Sequence, residues 1–310
     1  MGWRSAVSLI IVFTTIILYG LLTSGYTALA SIPLPNMVIA SALLMAGYLL
    51  ASVRLMIIHA RYTGRRLPLI EYYKARLAGN LAAFLTPSAV GGELGRAGYL
   101  ALKGFSFTEM LAVAYFEVFF DVVFTSLAAL VLSFSQLPWS LPVALTAGGS
   151  IAAWVVASLL LFYTGRKYGG NAGSGVRRFR GLLGKLASWA LTLSVAFWNT
   201  SSRVKLVDIL AVVALTLLAQ VLQASSVLPL LGGLSPDQVR EAFRGYFYSQ
   251  ALSSLPSPGG AIVSEYGLSL SLAPGYVVAY RLVYALTNVV PGLIIVYRAH
   301  SVKEEGGLTV

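Results

Sequence analysis

Two blocks of the sequence place the same residue types in the same order. The first reads Leu85-Thr86-Pro87-Ser88-Ala89-Val90-Gly91-Gly92-Glu93-Leu94-Gly95-Arg96. The second reads Leu255-Pro256-Ser257-Pro258-Gly259-Gly260-Ala261-Ile262-Val263-Ser264-Glu265. Each sets a proline, then a glycine pair, then a glutamate. Proline and paired glycine interrupt a helix, and glycine lets the backbone approach a ligand with its amides free. A helix restarting after the pair points N–H donors and a positive dipole end at its entrance, which suits an anion. A tight structural turn would use the same residues, glutamate included. That both blocks share the pattern favours a functional cavity.

Several ionisable residues lie in or beside apolar stretches: Arg54, Glu93, Arg96, Glu117, Asp121, Glu265 and Arg281. A charge at the centre of a membrane helix costs at least about 2.5–3.5 kcal/mol, so such residues face the protein interior and pair. Glu117 and Asp121, four apart, share one helix face. Two carboxylates there call for a cationic partner or a shared proton. Arg96 and Arg281 can grip a phosphate bidentately, which lysine does less well. An internal ion-pair network that only holds the helices together is the competing reading. Arg54 either joins this set or reaches back to the membrane surface along its apolar stem. Asn80, Gln220, Gln223, Gln250 and Asn288 are polar groups within apolar runs, placed to join helices or line a path. Tyr72, Tyr73, Tyr246 and Tyr248 read as an interfacial aromatic belt.

The elements that carry these residues follow from composition. Hydrophobic residues make up 57% of the 310-residue chain and charged residues 11%. Soluble domains carry roughly a quarter charged residues, so neither a soluble enzyme nor a disordered chain is compatible. The fold class expected is an all-α polytopic membrane protein. A crossing helix needs about 20 apolar residues, and six stretches qualify: 6–23, 37–58, 107–134, 141–163, 206–230 and 275–297. The first is read as a retained span and not a cleaved signal. Two more stretches, 72–102 and 243–272, contain the two blocks and are broken mid-way. Freed backbone at that depth must be enclosed by protein or line a wet cavity, so each is expected to form a re-entrant helical hairpin.

There are 22 Lys and Arg against 11 Asp and Glu, a net charge of +11. In a membrane chain this excess marks cytoplasmic loops and not nucleic-acid binding. Segments 59–76 and 165–185 hold the basic clusters, among them Arg61, Arg65, Arg66, Lys74, Arg76, Arg166, Lys167 and Lys185, while the uncharged linkers 24–36 and 135–140 fall outside. Both termini are then cytoplasmic in a multi-pass protein of the cell membrane. The segment 181–199 reads as an interfacial amphipathic helix or a short extra hairpin. The first basic-flanked unit, about 37–134, descends, takes a hairpin from inside and returns. The second, about 206–298, is arranged the other way up, with the basic linker about 164–205 between them. Inverted repeats with broken helices meeting near the midplane are a transporter plan. His59 and His300 stand far apart in polar flanks and there is no cysteine, so no metal site or cofactor is expected; nor does any nucleotide-binding fingerprint occur.

At these residues the sequence resembles a known family. The Thr86-Pro87…Gly91-Gly92-Glu93…Arg96 block resembles the first motif of the flippase-like membrane domain of lysylphosphatidylglycerol synthases. Glu117…Asp121 resembles that family's following Glu-Arg-x-x-Asp pattern, with Val118 in place of the arginine. Ser257-Pro258-Gly259-Gly260…Glu265, followed by Arg281, resembles its second motif. The resemblance runs from about Arg54 to Arg298 and implies movement of a phospholipid, or of a polyprenyl-phosphate-linked headgroup, between leaflets. In multidomain relatives a soluble domain makes the aminoacylated lipid. Only about a dozen residues follow the last span here, so a stand-alone member is expected, with any lipid-modifying enzyme on a separate chain.

The leading expectation is a lipid flippase whose hairpins meet near the midplane. Arg96 and Arg281 would hold the phosphate, and Glu93, Glu265, Glu117 and Asp121 would pair with them or with a cationic headgroup. The basic linker would touch anionic headgroups, and self-association stays open. Two other classes compete. A lipid-phosphate transferase or phosphatase would use Glu93 or Glu265 as base. A non-catalytic scaffold would pack the Gly-Gly breaks tightly with no cavity between them.

Overall fold

A computed structural model describes residues 3–23, 25–86, 91–169 and 181–306. Pro87, one of the candidate site residues, and residues 170–180 of the basic linker lie outside them. The described residues form thirteen α-helices and one 3-10 turn, and no strand occurs among them. In order these are α1 (Trp3–Leu22), α2 (Gly25–Leu29), α3 (Leu34–Thr63), α4 (Leu69–Leu85), α5 (Gly91–Ala101), α6 (Phe107–Ser133), α7 (Leu141–Tyr168), α8 (Gly181–Arg203), α9 (Leu206–Ser225), α10 (Leu228–Leu231), α11 (Pro236–Leu252), α12 (Val263–Ser269) and α13 (Pro274–Gly306). The chain is an all-α polytopic membrane protein. Five segments are long and apolar enough to cross a bilayer: Leu34–Thr63, Phe107–Gln136, Leu141–Tyr168, Leu206–Leu231 and Pro274–Ala299. The apolar part of α1, Ala6–Leu22, is shorter; at 1.5 Å per residue it covers about 25 Å.

Helix ends follow local chemistry. Gly64 closes α3 in the left-handed conformation, φ 68°, and its N–H donates to the Ala60 carbonyl, a conformation glycine adopts without a Cβ penalty. Ser235 and Gln238 form a reciprocal capping box at the start of α11, with Pro236 at its first position. Asp208 caps α9 by accepting the Lys205 N–H at 3.0 Å.

Helices α3 and α9 lie antiparallel along their lengths. Asn36 Nδ2 donates to the Pro229 carbonyl at one end, 2.8 Å. Gly47 sits against Ala219 and Gln223. Arg54 Nη1 donates to Thr216 Oγ1 at 2.6 Å, and Arg61 pairs with Asp208 at the far end, 2.8 Å.

Each broken stretch is a helical hairpin. In the first, α4 and α5 approach so closely that a Cβ at Gly95 would stand 2.9 Å from the Ala78 carbonyl oxygen, and one at Gly91 would collide with that of Ala82. In the second, a Cβ at Gly267 would stand 2.7 Å from the Ser249 amide nitrogen. The hairpins pack crosswise. Helix α4 leans on α13, where Gly292 meets Leu77 and Leu81. Helix α11 leans on α6, where Tyr248 Oη donates to the Leu132 carbonyl at 2.9 Å and Phe247 meets Phe124.

Several sequence expectations change. The hairpin tyrosines are not an interfacial belt: Tyr72, Tyr246 and Tyr248 are buried, because α4 and α11 are enclosed by other helices, and Tyr73 is half-buried with its hydroxyl on Met45. His59 is not in a polar flank; it is buried, 2.8 Å from Tyr72 Oη and edge-on to Phe105. The segment 181–199 lies in one continuous helix, α8, and not in a short hairpin; it packs against α7, α6 and α3.

Candidate functional site

Arg54 is held by the two carboxylates that one face of α6 presents. Its Nε donates to Glu117 Oε1 at 2.8 Å and its Nη1 to Asp121 Oδ1 at 2.8 Å, while Nη2 also contacts both carboxylates. Both Arg54 and Glu117 are fully buried, so the guanidinium does not reach back to the membrane surface. A lone charge there would be very costly; here all its donors are taken by carboxylates and Thr216.

Two further arginines complete the cluster. Arg96, on α5, donates from Nη1 to Glu117 Oε2 at 2.8 Å and from Nε to the Gly92 carbonyl at 3.2 Å. Its Nη2 meets Glu93 at 3.5 Å. Arg76, on α4, reaches Glu117 at 3.2 and 3.3 Å and Asp121 at 3.1 Å, and its Nε has no acceptor among the described residues. Arg76 is a residue that charge counting misplaces in the basic loop. The signal that could find it is its spacing: Arg76 and Asn80 are four apart, on one face inside the interrupted apolar stretch. A polar relay extends the cluster, from Tyr246 Oη to Gln220 Oε1 at 3.0 Å and from Gln220 Nε2 to Asp121 Oδ1 at 3.0 Å.

A cavity of about 590 Å³ opens beside this cluster. Arg76, Arg96, Glu93 and Asp121 line its charged side; Asn80, Gln220, Gln223, Gln250 and Asn288 add amides; Tyr115, Trp154 and Trp189 form an aromatic wall. Gly92 of the first break and Gly259 and Gly260 of the second both face it. Gly92, Gly259 and Gly260 therefore adjoin one cavity.

Arg76 and Arg96 line the cavity. Arg54 is saturated and behind them. Arg281 is elsewhere: its Nε donates to Glu265 Oε1 at 2.7 Å and its Nη2 to the Gly259 carbonyl at 3.1 Å. Arg281 and Glu265 are buried and do not line the cavity; they brace the second break from behind. Glu265 Oε2 has no hydrogen-bond partner among the described residues.

The remaining predicted residues close the breaks. Thr86 Oγ1 donates to the Ala82 carbonyl at 2.9 Å and accepts the Gly91 N–H at 2.8 Å, joining the end of α4 to the start of α5. In the second break the Ser257 carbonyl accepts the Gly260 N–H at 3.3 Å and that of Pro258 accepts the Ala261 N–H at 2.9 Å. Gly259 and Gly260 have φ of 54° and 71°, and Ile262 also has positive φ, 70°. No group of three His, Cys, Asp or Glu able to hold a metal occurs among the described residues.

A family model described as the lysylphosphatidylglycerol synthase TM region matches residues 3–295, nearly the whole chain. No curated protein matches it.

Proposed function

Because the chain belongs to the family of the lysylphosphatidylglycerol synthase TM region, we propose that it carries a phosphate-bearing lipid, or a lipid-linked phosphate headgroup, between membrane leaflets. The observation that carries this reading is the cavity itself. It faces both glycine breaks and is lined by Arg76 and Arg96, whose guanidinium groups reach Glu117, Asp121 and Glu93. Its volume of about 590 Å³ falls in the range of small-molecule sites, about 300–1,000 Å³; it suits a headgroup, with the acyl or prenyl chains left in the bilayer.

The transport plan is an inverted repeat with re-entrant hairpins. The antiparallel pairing of α3 with α9 and the crosswise packing of α4 on α13 and α11 on α6 support it. Phosphate contact passes to Arg96 with Arg76, and Arg281 serves to hold the second break. We propose transport in preference to catalysis: both cavity carboxylates lie within 3.5 Å of a guanidinium, Asp121 by Arg76 and Glu93 by Arg96. Arg166 and Lys167, in the last turn of α7, are placed to meet anionic headgroups on the cytoplasmic side.

Proteoliposomes containing labelled phosphatidylglycerol test the proposal. Leaflet transfer is expected with the parent protein and is expected to fall at least tenfold in Arg96→Ala and Arg76→Ala. Equal transfer in parent and variants, or none in the parent for any phosphate lipid, removes it.

A further inference from the structure

Resting on that reading of the cavity, we infer that the site takes up one proton with each phosphate anion it binds, and that Glu93 is the acceptor. The inference starts from a charge count. Three guanidinium groups, Arg54, Arg76 and Arg96, face three carboxylates, Glu93, Glu117 and Asp121, and none of the six side chains is more than 14% exposed. With all ionised the cluster is neutral. A phosphodiester adds one negative charge to an interior where an uncompensated charge is strongly penalised. When the ligand brings no cation of its own, protonation of a carboxylate restores neutrality.

The bonding selects which carboxylate. Glu117 is fully buried and takes donors from Arg54, Arg76 and Arg96. Asp121 takes donors from Arg54, Arg76 and Gln220. Protonating either would break several charge-assisted bonds, each shorter than Glu93's contact. Among the described residues Glu93 has one ion pair, with Arg96 at 3.5 Å, beyond the usual length of a charge-assisted hydrogen bond. It also lines the cavity. A phosphate oxygen can therefore replace it at Arg96 Nη2 with the least loss.

The step balances simply: a proton from the aqueous phase forms an O–H bond at the Glu93 carboxylate, and the phosphate oxygen takes over the guanidinium. The charged and titratable groups that face Glu93 are Arg76 on α4, Arg96 on α5, and Glu117, Asp121 and Tyr115 on α6. Across the cavity stand Tyr48 on α3, Tyr246 on α11 and Tyr284 on α13, while α7 and α8 present the neutral Trp154 and Trp189.

The test uses the purified full chain in detergent and dihexanoyl phosphatidylglycerol, a phosphodiester with an uncharged headgroup, with inorganic phosphate in parallel. Affinity is measured against pH, and proton uptake with an indicator dye in weak buffer. One proton per lipid bound is expected at neutral pH, and on the alkaline side Kd should rise about tenfold per pH unit. Glu93→Gln should bind with no uptake and a flat pH profile. Lipid binding by the parent without proton uptake overturns the inference, whatever the variant does, as does unchanged uptake in folded Glu93→Gln. Inorganic phosphate titrates near neutral pH itself, so proton-linked binding of phosphate with none of the lipid upholds Glu93 as acceptor only where the uptake is lost in Glu93→Gln, overturns it where the uptake persists, and in either case overturns the lipid reading. Binding of neither anion overturns both.

Discussion

The ring of Phe84 and the backbone of Gly259 touch: a Cβ at Gly259 would stand 3.2 Å from Phe84 Cδ1 and 2.8 Å from Val12 Cγ2. Phe84 lies in the last turn of α4, before the first break, and Gly259 lies within the second, so the end of α4 abuts the second break, with Val12 of α1 against the same glycine. Gly259→Val would clash with both neighbours and strain a backbone at φ 54°. Left-handed backbone costs about 1–2 kcal/mol for a side-chain-bearing residue, and overpacking about 1–3 kcal/mol. A loss of about 2–5 kcal/mol in detergent unfolding is expected, and a change below about 0.5 kcal/mol would show that Gly259 is not packed against Phe84 and Val12.

Arg54 joins three elements through Glu117, Asp121 and Thr216. Arg54→Met would leave the two carboxylates with an uncompensated negative charge in the interior, at a cost of about 3–5 kcal/mol. Adding Glu117→Gln restores the formal balance and should recover most of that loss. Denaturation of the single and double variants measures both, and a double variant no more stable than Arg54→Met would contradict the charge-balance argument.

Arg281 offers the opposite contrast, because its pair stands behind the cavity wall. Arg281→Met alone strands Glu265, again at about 3–5 kcal/mol. Replacing both, Arg281→Met with Glu265→Leu, exchanges a buried ion pair for apolar groups, an exchange that is often neutral. The double variant should fold and still move lipid between leaflets. A folded double variant without transfer would place Arg281 among the ligand contacts.

Hydropathy shows where helices run and where proline and paired glycine stop them; α4 ends at Leu85 and α11 at Leu252, at the predicted breaks. The spacing of Glu117 and Asp121 likewise gives their common face. What hydropathy does not show is which apolar face meets protein and which meets lipid, since both surroundings are equally apolar. Tyr72 and Tyr246 were unreadable for that reason. Arg76 was hidden by its neighbour: Lys74 remains 39% exposed, while Arg76, two residues on and turned to another face, is 8% exposed. The separation of Arg281 from the cavity depends on how α12 and α13 meet, which no local pattern encodes.

Glu71 latches the mouth of the first hairpin. It accepts from Lys74 Nζ at 2.8 Å within α4, and from Tyr99 Oη and Lys103 Nζ, both at 2.8 Å, at the end of α5 and just after it. Burial pushes its carboxyl up, but the hydrogen bonds from Lys103, Lys74 and Tyr99 outweigh burial and hold it at about 2, below an ordinary value of 4.5. A carboxyl depressed in the folded state adds stability that is fully present above its unfolded value and lost as pH falls toward its folded value. The melting temperature should therefore decline between about pH 4.5 and pH 2, and Glu71→Gln should be less stable at neutral pH, with the gap to the parent closing across that window. A gap that stays constant from neutral pH down to pH 2 would mean that the latch holds no charge-dependent share of the hairpin's stability.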